Sequence, residues 1–240
     1  AATRFPLQVL VAAGAVIGGQ AASAIDLPIA LVPLSIVLIV AYVNAFNFMD
    51  GVNAISGLQA AVVGGVLAIA GSRAGSATVQ AAGTVIAAAA LGFLPFNAVR
   101  ARCFLGDVGS YFIGAWLSLL WIVALDRGVG PLVLFGVLSV YGADTGFTLL
   151  RRALTGQKWW APHREHVYQR LSSNGLSHVA SAATVALFTA LHGAIGLVFA
   201  TSPASVQLLA ACVITLTSGI YVALPSLIAR SGGRAQPEFR

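Results

Sequence analysis

The chain has 240 residues, of which 58% are hydrophobic and only 8% charged, with a formal net charge of +6. A soluble domain of this length would lack the polar surface to cover its core, so the composition points to a membrane protein and excludes an ordinary globular fold. The positive charge does not point to nucleic acid, because the basic residues lie between apolar runs, where a positive-inside bias places them.

A span needs about 20 apolar residues to cross roughly 30 Å of hydrocarbon, so the length admits about eight spans and no separate soluble domain. Apolar runs punctuated by Gly, Pro and charge predict spans at 6–22, 28–46, 56–72, 77–96, 110–125, 131–150, 178–200 and 205–228. The expected fold is an all-α polytopic transmembrane bundle forming one integral membrane domain over 1–240, with Ala- and Gly-rich spans suited to close packing. The sequence starts at Ala1 and its only methionine is Met49, so further chain is expected upstream.

The second predicted span closes on Asn44, Asn47 and Asp50, which share one face if the helix reaches Asp50. Such a stripe at a membrane boundary is either a wet helix end or part of a site. Gly51 and Gly57 are expected to allow sharp turns that fold the carboxylate back. Before the fifth span, Phe104-Leu105-Gly106-Asp107-Val108-Gly109-Ser110 is expected to open a helix with free N–H groups, an N-cap side chain and a carboxylate. It reads either as an ordinary N-cap or as a phosphate and cation site, and Asp107 is the strongest metal-ligand candidate, since magnesium takes one or two carboxylates and fills its shell with water and phosphate.

Asp144 lies within the sixth span, where a carboxylate is either functional or a structural hydrogen-bond partner. The main polar loop, 151–177, begins with Arg151-Arg152 and runs through Lys158-Trp159-Trp160 to His163, Arg164, Glu165 and His166. Cations interleaved with aromatics and histidines suit phosphates and a stacked base, or an anchor to anionic headgroups. Zinc is the weaker expectation, because four ligands are not at hand. His178 and His192 read as interfacial or packing residues. Cys103 and Cys212, in a loop and in mid-span, are not expected to pair.

Eight spans put both termini on one side, together with the loops after the second, fourth and sixth spans. That side holds eleven of the 13 basic residues, and the other holds Arg73 and Arg127, so the eleven-residue side is expected to be cytoplasmic. Asp50, Asp107, Asp144, His163, Glu165 and His166 sort to the same face.

Three stretches carry a family resemblance: NAFNFMDGVNAISG at 44–57, GFLPFNAVRARCFLGDVGSYFIG at 92–114, and ADTGFTLLRR with PHREHVYQRL at 143–152 and 162–171. In order, spacing and shared face they resemble the polyprenyl-phosphate N-acetylhexosamine-1-phosphate transferases, glycosyltransferase family 4. The resemblance implies transfer of a sugar 1-phosphate from a UDP-N-acetyl sugar to undecaprenyl phosphate with release of UMP. That reaction is the first membrane step of an envelope polysaccharide such as O-antigen or lipopolysaccharide. It also implies a bacterial inner membrane with the active face cytoplasmic, Mg2+ (or Mn2+) as cofactor, and a homodimer as a possible assembly.

By position, the resemblance makes Asp107 the metal ligand and, with Asp50, the catalytic pair. Asn44, Asn47, Asn53, Asn97, Lys158, His163, Arg164 and His166 become substrate-binding residues. Asn53 stands where the family often has Asp, which removes one negative charge. The family's paired-aspartate motif, DDxxD, precedes the span matching 6–22, and this sequence starts after it and after the first two family spans. A protein without that motif would lack the carboxylates that position the lipid phosphate. The rival expectations are a secondary transporter or lipid flippase, which would show midplane polar groups in an inverted repeat, and a truncated inactive relative.

Overall fold

The computed structural model describes residues 4–98, 101–158, 161 and 163–231, and it is helical throughout, with no strand among the described residues. The helices are α1 (Arg4–Ala21), α2 (Val32–Met49), α3 (Ile55–Arg73), α4 (Ala77–Asn97), α5 (Gly106–Asp126), α6 (Pro131–Leu154), α7 (Val167–Ser173), α8 (His178–Phe199) and α9 (Ala204–Ser231). A single 3-10 turn, Ile29–Leu31, leads into α2.

Seven of these, α2 to α6 with α8 and α9, are long and apolar enough to cross a membrane. The eighth expected span, α1, forms where it was predicted but carries Arg4, Gln8 and Gln20 in 18 residues and is not among the seven. It nevertheless runs the length of the bundle. Arg4 at its start reaches Asp107 at the head of α5, while beyond its end the Ala24 carbonyl accepts from Arg127 and the Asp26 N–H donates to Asp126 at the foot of α5.

The helices pack through small residues because lipid offers no hydrophobic drive to squeeze them together. A side chain on Gly64 of α3 would meet the Gly83 carbonyl of α4 at 2.8 Å, and one on Gly83 would meet the Gly64 carbonyl at 2.7 Å, so these backbones touch. On the other flank, Gly196 of α8 leaves only 2.6 Å for a Cβ against Val133 of α6. A buried cluster including Tyr42, Phe46, Met49, Leu117, Val137 and Tyr141 fills the centre, and Ala12 and Val16 of α1 join a second one with α2 and α5.

Several expected boundaries moved: α2 runs to Met49 and α5 begins at Gly106, three and four residues beyond the expected limits. The sixth helix continues through Arg151 and Arg152 to Leu154, and the loop after it contains α7, which the sequence pattern did not predict. Among the described residues, Cys103 and Cys212 are both free and exposed.

Candidate active site

The chemistry expected in three separate connections gathers at one end of the bundle. Helix α5 opens at Gly106, whose φ of +60° favours glycine, and Asp107 sits in its first turn. The expected N-cap side chain is not there: residue 105, a leucine, occupies that position, and Asp107 is left outward with 61% of its side chain exposed. Asn47, on the last turn of α2, donates to Asp107 Oδ1 at 3.3 Å and to Ser110 Oγ at 2.9 Å. Arg4 lies 3.3 Å from the other carboxylate oxygen, an exposed pair of small energetic weight.

Asp50 does not continue the helical stripe. It follows Met49 as the capping residue of α2 and accepts from Ser56 Oγ at 2.6 Å. Burial pushes its carboxyl up to about 6, the Ser56 bond opposes this, and the nearby charge of Asp107 adds to it. The turn that brings Ser56 round is made by Ala54, at φ 70°, and not by a glycine. Gly51 and Gly57 serve close approach instead. A Cβ on Gly51 would overlap the Tyr168 hydroxyl, and one on Gly57 would meet Leu94 at 2.8 Å.

Asn97, expected at the substrate, is spent on the backbone. Its Oδ1 accepts from the N–H of Ala54 at 2.7 Å and its Nδ2 donates to the Cys103 carbonyl at 2.8 Å, tying the Asp50 turn to the Asp107 loop. Asn44 turns toward Gln8 of α1, donating to its Oε1 at 2.8 Å. Asn53 is half-buried and makes no side-chain hydrogen bond among the described residues.

The histidine loop is anchored at both ends. Glu165 pairs with Arg151 at 2.5 Å and with Arg152 at 2.6 Å, and Arg152 also donates to the Lys158 carbonyl. Burial alone would raise the Glu165 carboxyl, but these two arginines and the adjacent His163 hold it below its ordinary value. His163 Nδ1 lies 3.0 Å from the Ala161 carbonyl, to which it can only donate, and its Nε2 is buried with no partner among the described residues. Lys158 and Arg164 are exposed and form no ion pair among the described residues. Trp159, Trp160 and Pro162 of this loop, and Arg100 of the earlier one, lie outside the described residues.

His166 is buried among rings, 6.1 Å from Phe48, 6.0 Å from Tyr168 and 4.9 Å from His163. The Tyr168 hydroxyl donates to the Phe48 carbonyl at 3.0 Å, so α7 is docked on the end of α2 beside Asp50. Burial, then the charges of Asp144 and Asp50, push the Tyr168 phenol up, which keeps it a donor. Sequence reasoning missed Ser56, Gln8, Tyr168 and Tyr221 as members or supports of this assembly. Ser56 and Tyr168 lie inside the quoted motifs, but no periodic signal marks Gln8 or Tyr221. His192 lies far down α8, hydrogen-bonded to Ser139 at 2.6 Å and Thr217 at 2.8 Å, the packing role expected of it.

Among the described residues no group of three or more His, Cys, Asp and Glu is placed to hold a metal ion. One open carboxylate, with a second near enough for its charge to be felt, is nonetheless the sparse donor set that magnesium uses when phosphate oxygens and water complete its shell.

Seven apolar spans and a polar end that gathers carboxylates, cationic side chains and an imidazole nitrogen with no partner among the described residues define an integral membrane protein. A family model described as glycosyl transferase family 4 matches residues 1–125, and the chain belongs to that family. It is 32% identical over 152 residues to a probable undecaprenyl-phosphate N-acetylglucosaminyl 1-phosphate transferase of Bacillus subtilis, covering 61% of this chain and 42% of the relative. It is 30% identical over 188 residues to a decaprenyl-phosphate N-acetylglucosaminephosphotransferase of Mycolicibacterium smegmatis, covering 68% and 45%. A phospho-N-acetylmuramoyl-pentapeptide-transferase of Clostridium botulinum is 31% identical over 123 residues, covering 51% and 37%. The chain thus matches less than half the length of each of these curated relatives.

Proposed function

We propose that the chain carries the catalytic end of a transferase that moves a sugar 1-phosphate from a UDP-N-acetyl sugar to undecaprenyl phosphate, releasing UMP. The observation that carries this reading is the gathering of Asp107, Asn47, Asp50 and the His163–His166 loop at one end of an apolar bundle, where Asn47 bonds Asp107, Tyr168 bonds the Phe48 carbonyl beside Asp50, and the charge of Asp107 is felt at Asp50. The arginine bias supports a cytoplasmic orientation for that end in a bacterial inner membrane. The same reading has α1 crossing as the eighth span.

The lipid phosphate attacks the β-phosphorus of the nucleotide sugar, and negative charge grows on the non-bridging and leaving oxygens. Asp107, with Asp50 behind it, would hold Mg2+, which when bound supplies charge neutralisation to the diphosphate. His163, with Nδ1 committed to a carbonyl, keeps Nε2 unpartnered among the described residues, and Arg164 and Lys158 have no partner there to give up before meeting phosphate oxygens. Asn47 keeps the Asp107 carboxylate in place through a bond shared with Ser110. Tyr168 and Asn97 act at a distance by fixing the turns.

The test is purified full-length protein with magnesium, undecaprenyl phosphate and a panel of UDP-N-acetyl sugars. UMP release and a lipid-linked product are expected. Lipid or solute transport without UMP release would overturn the reading in favour of a transporter, and neither activity would mark an inactive relative.

A further inference from the structure

Asp144 was left open by its sequence and is not placed to touch a ligand, being completely buried in α6. A carboxylate in a membrane span is costly unless its oxygens are satisfied. Here four groups converge on it. His166 Nδ1 lies 3.0 Å from Oδ1, the backbone N–H of Val167 donates to Oδ1 at 3.0 Å, that of Tyr168 to Oδ2 at 3.2 Å, and the Tyr221 hydroxyl to Oδ2 at 2.7 Å.

The backbone N–H groups can only donate, so both oxygens are engaged as acceptors and His166 Nδ1 must carry a proton to be held there. The ring is then fixed in one tautomer, with Nε2 on its far edge, where it makes no hydrogen bond among the described residues. The rings of Phe48 and Tyr168, roughly parallel to it at 6.1 and 6.0 Å, restrict its freedom to turn. The same carboxylate caps α7, whose seven residues are too few to be stable alone.

We propose that Asp144 is a positioning residue of the phosphate-binding loop: it holds His166 as the Nδ1-protonated tautomer and aims Nε2 at the substrate's diphosphate. The inference rests on the transferase reading for its ligand, but not for its tautomer. An amide cannot replace the carboxylate, because an NH2 group would face an N–H donor. Tyr221→Phe, by contrast, removes one donor and leaves His166 untouched.

Two measurements decide it. With only four histidines in the chain, 15N-histidine NMR of the full protein in nanodiscs is assignable through the signal lost in His166→Gln. His166 is expected to be Nδ1-protonated in the native protein, and an Nε2-protonated ring there overturns the proposal without any variant. In kinetics, Asp144→Asn is expected to lower kcat for UMP release about 10–100-fold, the usual cost of losing a group that orients a ligating histidine. In a His166→Gln background the same change should cost less than about 2-fold, since residues acting as a unit are not additive. Losses that multiply, or a Tyr221→Phe loss as large as that of Asp144→Asn, would show a merely structural carboxylate and overturn the proposal. Should the native protein release no UMP from any UDP-sugar, the transferase reading falls and the tautomer still decides Asp144.

Discussion

The two ends of this bundle spend their charges differently. At the end opposite Asp107, Arg73 donates to the Leu197 carbonyl, Arg127 to the Ala24 carbonyl, and Asp126 accepts from the Asp26 N–H. These charges close turns against backbone, Arg127 also pairs with Asp126, and the exposed Asp26 carboxylate alone makes no hydrogen bond or ion pair among the described residues. At the Asp107 end, Asp107 is largely exposed, His163 has a bare nitrogen, and Arg164 and Lys158 have no partner among the described residues. The lesson is that polarity at a membrane boundary does not mark a site, and neither does one unpartnered charge such as Asp26, whereas several polar groups with unused valence gathered together do.

The contrast breaks first at Asp107. Asp107→Asn is expected to cut UMP release by about 10²–10³-fold or more, the scale of losing a group aimed at developing charge. Its thermal unfolding should be unchanged, because the carboxylate is exposed and contributes little packing. Turnover retained in that variant would remove the metal assignment. Next in size is Gly51→Ala. The new methyl would overlap the Tyr168 hydroxyl and push α7 off the end of α2, and a displacement near 1 Å in a catalytic site costs about 10²-fold. Adding Tyr168→Phe removes the atom it strikes and should restore part of the rate, which a defect unrelated to that contact would not show.

The sequence showed the bundle more fully than it showed the site. Seven spans were legible because apolar runs of this length have no other use, and the gathering of the polar motifs at one end followed from loop parity. Helix α7 was not legible, since seven residues show no usable period and its cap comes from Asp144, 23 residues away. Gly51 and Gly57 were read as turns, yet the positive φ in that segment fell on Ala54, where Asn97 ties down the backbone N–H. Asn97 itself looks like any polar loop residue until the fold shows what its amide meets. In each case the missing information was a tertiary contact that local pattern does not encode.

A smaller effect sharpens the comparison through pH. Burial raises the Asp50 carboxyl from 3.8 to about 6, so between these values the native state binds a proton that the unfolded chain does not. Stability from this group is present at low pH and is lost as pH rises through 6. Asp50→Asn cannot ionise. It should therefore melt higher than the native protein near pH 7 by about 2–4 °C, the shift of roughly 1 kcal/mol in a chain of this size. The gain should vanish as pH falls below about 4, while UMP release is lost throughout. A gain that instead grows toward low pH would mean that Asp50 is stabilised as an anion, against the burial argument.

The smallest expected effect tests the other end. Arg73 is exposed, and its one side-chain hydrogen bond among the described residues, 2.6 Å to the Leu197 carbonyl, joins the end of α3 to the end of α8. Arg73→Gln can keep a donor near that carbonyl, so its cost should stay within about 0.5 kcal/mol. Turnover and the KM for both substrates should match the native values, because no contact leads from Arg73 to the Asp107 end except through the length of the packed helices. A variant that melts normally but turns over slowly would mean that this charge does more than close a turn, and the division of labour between the two ends would not hold.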